Sequence, residues 1–268
     1  MNRSLLKSFD LKKNIAVVIG GSGQIGFETC SILLQAGATV LNIDLVDCKD
    51  KNLKKNHNYY FFKCDISKEK NVAKIKKKIS LSFKKINILI NHTHFKGNPR
   101  ILKPHNDFFK SIEKYDIKIW NKTLAVNLNG LFITTKHFLP LLLKNNKSVI
   151  LNTSSTYGLI SPNKNIYGKS GINSPISYAT TKSAIIGFTN YIATHYADRG
   201  LRANILVPGG IENISQSIEF KTNYSKLTPL KRLAKKNEFK EAVLFMVSDA
   251  SSYMTGSKIV IDGGFTAW

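Results

Sequence analysis

Tyr178 and Lys182 stand four residues apart in the run Tyr178-Ala-Thr-Thr-Lys182. On a helix that spacing puts a phenol and an ammonium on one face, where both can serve a single site. A neighbouring ammonium favours phenolate and draws the phenol down from its ordinary pKa of about 10, which would make Tyr178 an acid and base for a hydroxyl or carbonyl oxygen. Alone, such a pair describes an ordinary helix surface. Here it follows an apolar run ending in Asn152-Thr-Ser-Ser155, which brings hydroxyls to the same place. A second constellation is Gly20-Gly21-Ser22-Gly23-Gln24-Ile25-Gly26. Glycines at 20, 23 and 26 let the backbone turn tightly, approach a pyrophosphate, and pack the next helix against a sheet. The N–H groups of that helix then face the phosphates. Asp44 lies 18 residues beyond Gly26, where a carboxylate accepts hydrogen bonds from an adenosine ribose. A tight turn beside a surface Asp is the alternative reading. A carboxylate at 44 repels a 2′-phosphate, and neither the loop nor Leu45 supplies a cation, so NAD is favoured over NADP.

These side chains need a scaffold, and the hydropathy pattern describes one. Short apolar runs alternate with longer amphipathic ones, as in a parallel sheet sandwiched by helices. Strands are predicted over 14–19, 39–43, 59–63, 86–90, 148–151, 201–207 and 258–261, and helices over 24–35, 68–85, 117–143 and 174–198. Gly37 should end the first helix, and Pro140 should kink or terminate the third. Ser174-Pro175 reads as an N-cap followed by proline at the first helical position. No linker, repeat or low-complexity tract interrupts the alternation. The expected fold is α/β: one Rossmann-type domain over 1–268, with a doubly wound parallel sheet of about seven strands.

Composition narrows the partners. At 268 residues and 43% hydrophobic, the chain can bury a full core. No run approaches the ~18 apolar residues of a membrane span, and residues 1–10 lack the apolar core of a secretory signal. Cys30, Cys48 and Cys64 have no metal-ligand spacing, so reduced thiols in a cytoplasmic protein are expected. The net charge of +23 invites a nucleic-acid reading, but the cations are 35 Lys and only 5 Arg, spread along the chain beside 25 Asn. In the densest cluster, Val72, Ile75, Ile79 and Phe83 keep helical spacing, with Lys74, Lys76, Lys77 and Lys78 between them. That is a solvated helix face, so neither nucleic acid nor a membrane surface is expected as a partner. His92 and His94 alternate on an extended segment, but two imidazoles without a carboxylate or Cys pattern make a poor metal site. No metal is expected, and substrate contact or loop packing stays open for both. His137 and His195 read as ordinary helix residues.

Gly20–Gly26, Asp44, Asp65 in Cys-Asp-Ile-Ser, Asn91, Trp120, Asn127 in Ala-Val-Asn-Leu-Asn-Gly, Ser155, Tyr178-x-x-x-Lys182, Pro208-Gly209-Gly210 and Asp262-Gly263-Gly264 occur in one order. In that order and rough spacing the chain resembles the short-chain dehydrogenase/reductase family, from about residue 14 to the end. The resemblance implies an NAD(P)-dependent oxidoreductase that interconverts a secondary alcohol and a ketone. Tyr178 would trade the proton with the substrate oxygen, while Lys182 would bind the nicotinamide ribose and lower the Tyr178 pKa. Ser155 would hydrogen-bond the substrate oxygen, and Asn127 would hold a water in a relay from Lys182. The family's Ser stands three residues before a Gly, which selects Ser155 over Ser154 because of Gly158. Implied cofactor contacts are Gly20, Ser22, Gly23, Gln24, Ile25 and Gly26 in the loop, Asp44 and Leu45 at the ribose, and Asp65 and Ile66 around the adenine. Asn91, Tyr178, Lys182 and the turn of Pro208, Gly209 and Ile211 complete the set. A homo-oligomer, tetramer or dimer, is also implied.

The chain departs from the family's pattern in several places. Ile19 replaces a Thr, Asn91-His92-Thr93-His94 stands for Asn-Asn-Ala-Gly, and Glu212-Asn213 occupies a region where Thr is common. Ser155 and Tyr178 are 23 residues apart, a longer interval than most members have. The extra stretch, 161–174, is anchored beside the catalytic residues and is expected to form a polar lid over a hydroxylated, even anionic, substrate such as a sugar or polyol derivative. A solvated or subunit-contacting loop is the alternative. The insertion resembles a subgroup associated with surface-glycan sugar biosynthesis. A 3-oxoacyl-thioester reductase would share every catalytic residue named. A non-catalytic dinucleotide sensor would have no need of the Ser155, Tyr178 and Lys182 set.

Overall fold

The computed structural model describes residues 7–95, 107–169 and 174–268. Seven strands, β1 (Ile15–Ile19), β2 (Thr39–Asp44), β3 (Tyr59–Lys63), β4 (Ile88–Asn91), β5 (Ser148–Thr153), β6 (Leu201–Pro208) and β7 (Lys258–Ile261), form one sheet. Their order is β3-β2-β1-β4-β5-β6-β7, and every pairing is parallel. The helices are α1 (Gln24–Gln35), α2 (Lys51–Lys55), α3 (Glu69–Ser82), α4 (Ile117–Leu124), α5 (Gly130–Leu142), α6 (Ile176–His195), α7 (Ile218–Leu227) and α8 (Lys240–Val247). Side chains alternate across a strand, so Ala16 and Val18 face one layer while Val17 and Ile19 face the other. The first layer holds Cys30 and Leu33 of α1 with Val243 and Met246 of α8. The second holds Val72 and Ile79 of α3, Phe138 and Leu141 of α5, and Ile192 of α6. Cover on both faces explains why the strands read as unbroken apolar runs. β1 pairs with β2 on one side and β4 on the other. The order reverses there, which opens a crevice beyond the carboxyl ends of those strands.

The expected helix over 117–143 is two helices joined by a π-helical turn, Ala125–Asn129. The break therefore comes well before Pro140, which sits two residues from the end of α5. Proline lacks the N–H that would bond the carbonyl four residues back, yet the helix runs two residues beyond it. The wide turn instead carries Asn127, which is buried, as π-turns at functional positions often do. α6 starts at Ile176 with Pro175 itself in the capping position, so Ser174 stands one residue too far out to cap it. Helices α2, α7 and α8 escaped the periodicity reading because they span only 5, 10 and 8 residues.

Polar side chains bolt the layers together where the crevice opens. Asn91 donates to Asn152 Oδ1 at 2.8 Å, Asn152 donates to Thr189 at 2.9 Å, and Thr134 donates to Asn91 Oδ1 at 3.1 Å. His92 is bonded to Thr29 of α1 through Nε2 at 2.9 Å and to Thr153 of β5 through Nδ1 at 2.7 Å. Burial, aided by the nearby Lys182 charge, pushes the His92 pKa down to about 3, so the ring works as a neutral crosslink. An unfolded imidazole titrates near 6.5. Between that value and 3 the unfolded chain binds a proton that the folded chain refuses, so stability falls as pH drops through the window. The slope contributed by one such group is at most about 1.4 kcal/mol per pH unit. His92→Asn, whose amide does not titrate, should lose less stability than wild type between pH 7.5 and 5, read from urea midpoints. Equal losses would show that His92 carries no such penalty.

Candidate active site

The glycine loop leaves β1 through Gly20, whose φ of +80° suits glycine alone. A Cβ on Gly26 would run into the Gly20 carbonyl, so only glycine lets α1 start this close to the loop. Ser22 N–H donates to Asp44 Oδ2 at 3.0 Å and Leu45 N–H to Oδ1 at 2.6 Å, which aims the carboxylate at the loop. Asn42 steadies the same corner, donating to Ser22 Oγ at 3.0 Å and Tyr59 Oη at 2.7 Å. Gln24 donates to the Glu212 carbonyl at 3.1 Å and so ties the loop to the segment after β6. Ile25 packs into the α1 layer, while Leu45 is exposed. Farther along the crevice, Asp65 accepts from Ser67 N at 3.0 Å and Ser67 Oγ at 2.6 Å, and Ile66 is buried against Gly130. Opposite, Gly209 N–H donates to the Ile261 carbonyl at 2.8 Å, Gly210 N–H to Tyr224 Oη at 2.6 Å, and Ile211 pairs with Ala234.

α6 brings Tyr178 and Lys182 to the end of β5. Lys182 is 1% exposed, and its Nζ donates to the Thr153 carbonyl at 2.8 Å while lying 5.7 Å from the centre of the Tyr178 ring. Ser155 caps the turn Thr156–Gly158, accepting from Tyr157 N at 3.2 Å. Ser154 has a different duty: its Oγ donates to the Lys182 carbonyl at 2.7 Å. Gly158 packs so tightly on Ser154 and the Lys182 backbone that no side chain fits. Asn127 donates to Thr181 Oγ1 at 3.1 Å and to the Phe95 carbonyl at 3.2 Å, so it joins the exit of β4 to the helix of Lys182. These contacts give Asn127 a bracing role. Asn91 likewise reaches the crevice as a brace, its amide engaged on both sides.

The electrostatics of Tyr178 correct one expectation. Burial raises its pKa above the ordinary phenol value, and the nearby Ser155 hydroxyl only partly offsets this. The Lys182 ammonium is directed at a backbone carbonyl, so its presence four residues away does not by itself pull the phenol down.

Several side chains escaped the sequence reading. Thr29, Thr153 and Thr181 complete hydrogen-bond bridges that no spacing rule announces. The His94 ring lies edge-on to Tyr178, with centroids 6.0 Å apart at 69°. The departure from glycine there puts an imidazole beside the phenol. Tyr157 and Tyr167 gather with Tyr224 around Ile166, Leu233 and Phe265, and Tyr157 stands two residues beyond Ser155. The repeated tyrosines flanking Ser155 were the available signal. Among the described residues no group of three His, Cys, Asp or Glu could hold a metal ion, and no helix is long and apolar enough to cross a membrane.

Comparison with known proteins bears on this site. Residues 21–266 match the family model described as Enoyl-(Acyl carrier protein) reductase. The chain is 28% identical over 264 residues to a 3-oxoacyl-(acyl-carrier-protein) reductase of Thermotoga maritima, covering 95% of this chain and 98% of that one. It is also 28% identical over 267 residues to a cyclohexanol dehydrogenase of an Acinetobacter species, covering 100% of each. A crystal structure of a short-chain dehydrogenase from Leptospira borgpetersenii with bound NAD+ superimposes with a TM-score of 0.87 at 31% identity, over 99% of this chain and 97% of that one.

The loop geometry makes a test. Gly26→Ala should weaken dinucleotide affinity by about tenfold or more, the equivalent of only 1.4 kcal/mol, in a fluorescence titration with reduced dinucleotide. Gly187→Ala on α6, where a Cβ meets nothing within 4 Å, should leave affinity unchanged. Equal affinities for the two variants would mean the crevice binds elsewhere.

Proposed function

The chain belongs to the short-chain dehydrogenase/reductase family and is similar to members named as dehydrogenases of alcohols, and from that premise we propose an NAD-dependent dehydrogenase of a secondary alcohol on a sugar or polyol derivative. The observation that carries the reading is the placing of Tyr178 and the buried Lys182 against the end of β5, where Ser155 follows, beside the crevice beyond β1 and β4. The crevice suits a dinucleotide: Gly20, Gly23 and Gly26 keep the backbone bare, and the first N–H groups of α1 face outward for a pyrophosphate. Gly20, Ser22, Gly23, Gln24, Ile25 and Gly26 would hold the phosphates. Asp44 and Leu45 would take the adenosine ribose, Asp65 and Ile66 the adenine, and Asn91 would brace the floor. Tyr178, Lys182 and the Pro208, Gly209 and Ile211 turn would hold the nicotinamide half. The chemistry supplied by a bound nicotinamide is hydride exchange with the substrate carbon.

The protein's own part is orientation and proton transfer. Ser155 donates to the substrate oxygen, and Tyr178 accepts its proton during oxidation or returns one during reduction. Lys182, anchored by Thr153, orients the ribose, and Asn127 with Thr181 links it toward solvent. The Asp44 carboxylate, already accepting two backbone N–H bonds, favours a free ribose hydroxyl over a phosphate there. The ring-alcohol dehydrogenase among the relatives supports a secondary alcohol substrate. Three free, buried thiols support a cytoplasmic setting. The exposed Phe132 of α5 and Tyr191 of α6 support a homo-oligomer, tetramer or dimer, assembled through these helices. A second reading, reduction of a 3-oxoacyl thioester, is favoured by the Thermotoga relative.

The experiment is dinucleotide reduction with NAD and NADP across sugars, sugar phosphates, nucleotide sugars and polyols, with acetoacetyl-coenzyme A reduction as the competing assay. NAD should exceed NADP in kcat/KM, and Tyr178→Phe should lose about a hundredfold or more. Because burial holds the phenol up, oxidation should rise with pH from about 7 to 9 as the acceptor form populates. Turnover by the Phe variant at wild-type rate would refute the mechanism, and thioester reduction alone would select the second reading.

A further inference from the structure

The insertion is packed down rather than hanging over the crevice. Asn163 caps the turn Lys164–Tyr167 by accepting from Asn165 N at 2.9 Å, and Ile166 is wholly buried with Tyr224, Leu233 and Phe265. Asn223 of α7 donates to the Asn165 and Ile166 carbonyls at 3.3 and 3.5 Å. Gly168, at φ +54°, lies directly against the Glu219 carboxylate, which also accepts from Lys169 N at 3.2 Å. Residues 170–173 of the stretch lie outside the described residues. As far as Lys169, then, the expected lid is a wall fixed to α7.

That wall meets the active site through phenols. Tyr157 follows Ser155 by two residues, and its N–H is bonded to the Ser155 hydroxyl. Its ring and that of Tyr167 both pack against the cluster of Ile166, Tyr224, Leu233 and Phe265, and the Tyr167 ring lies against Phe220 with centres 5.6 Å apart. Tyr224 is committed to structure: it accepts from Gly210 N and stacks on Phe265 at 4.6 Å. Burial raises the pKa of Tyr157 and Tyr167, and that of Tyr224 to about 12, so the cluster is neutral at working pH. A neutral phenol offers one O–H and acceptor lone pairs, which suits a hydroxyl, itself both donor and acceptor. It offers an anion no charge. Aromatic faces beside those oxygens suit the apolar face of a ring.

We infer that Tyr157 and Tyr167 are specificity-determining residues that bind a second, uncharged hydroxyl on a ring-bearing substrate, next to the oxygen handled by Ser155 and Tyr178. The inference deepens the dehydrogenase reading above and rests on it. It replaces the anionic substrate expected of the insertion with a neutral cyclic diol or polyol. The probes are cyclohexanol and the cis and trans isomers of 1,2-cyclohexanediol, assayed with NAD.

Wild type should favour the better diol over the mono-ol by about tenfold in kcat/KM, the worth of one well-made hydrogen bond. Tyr157→Phe and Tyr167→Phe keep the rings and should erase that preference by raising KM for the diol, with kcat/KM for cyclohexanol within about twofold of wild type. Loss on diol and mono-ol alike would assign the phenols to structure and overturn the inference. So would a wild type indifferent to the second hydroxyl, or a preference that survives both substitutions. Absence of Tyr178-dependent turnover on every alcohol would instead take down the dehydrogenase reading, and this inference with it.

Discussion

A lysine with 1% of its surface exposed, Lys182, sits beneath the crevice, and the architecture around it follows from keeping its ammonium there. A buried charge is tolerated only when it is solvated by the protein itself. Thr153, the last residue of β5, gives Lys182 its carbonyl, and the Tyr178 ring lies beside it. Ser154 then fixes the Lys182 backbone, and the bare Gly158 lets α6 come close enough for that contact. The same charge helps keep His92 unprotonated, so an imidazole can stand in the core as a crosslink. Moving β5 relative to α6 would strand the ammonium, which makes this strand–helix contact the least adjustable part of the molecule.

The two halves of the site were legible to different degrees. The dinucleotide side is written in contiguous residues: a strand, a glycine loop, a helix, and Asp44 at the next strand end. Local sterics and one parallel pairing suffice to place them, so spacing alone carried the reading. The acid-base pair was also local, since helix periodicity relates Tyr178 to Lys182. What spacing could not convey was the environment. The direction of the Tyr178 shift depends on burial by elements far along the chain, and Lys182 turned out to address a carbonyl instead of the phenol oxygen.

The substrate side is built from distant segments, and there the sequence was least informative. The turn Lys164–Tyr167 and the Lys169 backbone after it are held by Asn223 and Glu219, fifty or more residues onward, and no period or motif links them. A polar, lysine-bearing insertion suggested a lid; Ile166 and Tyr167, its apolar members, decide its fate by packing on α7. Similarly, His92 and His94 look equivalent in the sequence, yet one is bonded on both ring nitrogens inside the core and the other lies edge-on to the Tyr178 ring. Alternation along an extended segment sends neighbouring odd and even positions apart, but it does not say which environment each side chain of a pair two apart will find.

The π-helical turn at Ala125–Asn129 has a consequence for how this region tolerates change in length. Each residue of an α-helix advances the chain by about 100° around its axis, so an extra residue in one turn resets the rotational phase of everything after it. Gly130 and Thr134, which meet Ile66 and Asn91, owe their orientation to that reset. A single-residue deletion here would leave the composition of α5 intact while turning its small face away from the sheet. A substitution at the same place would do far less.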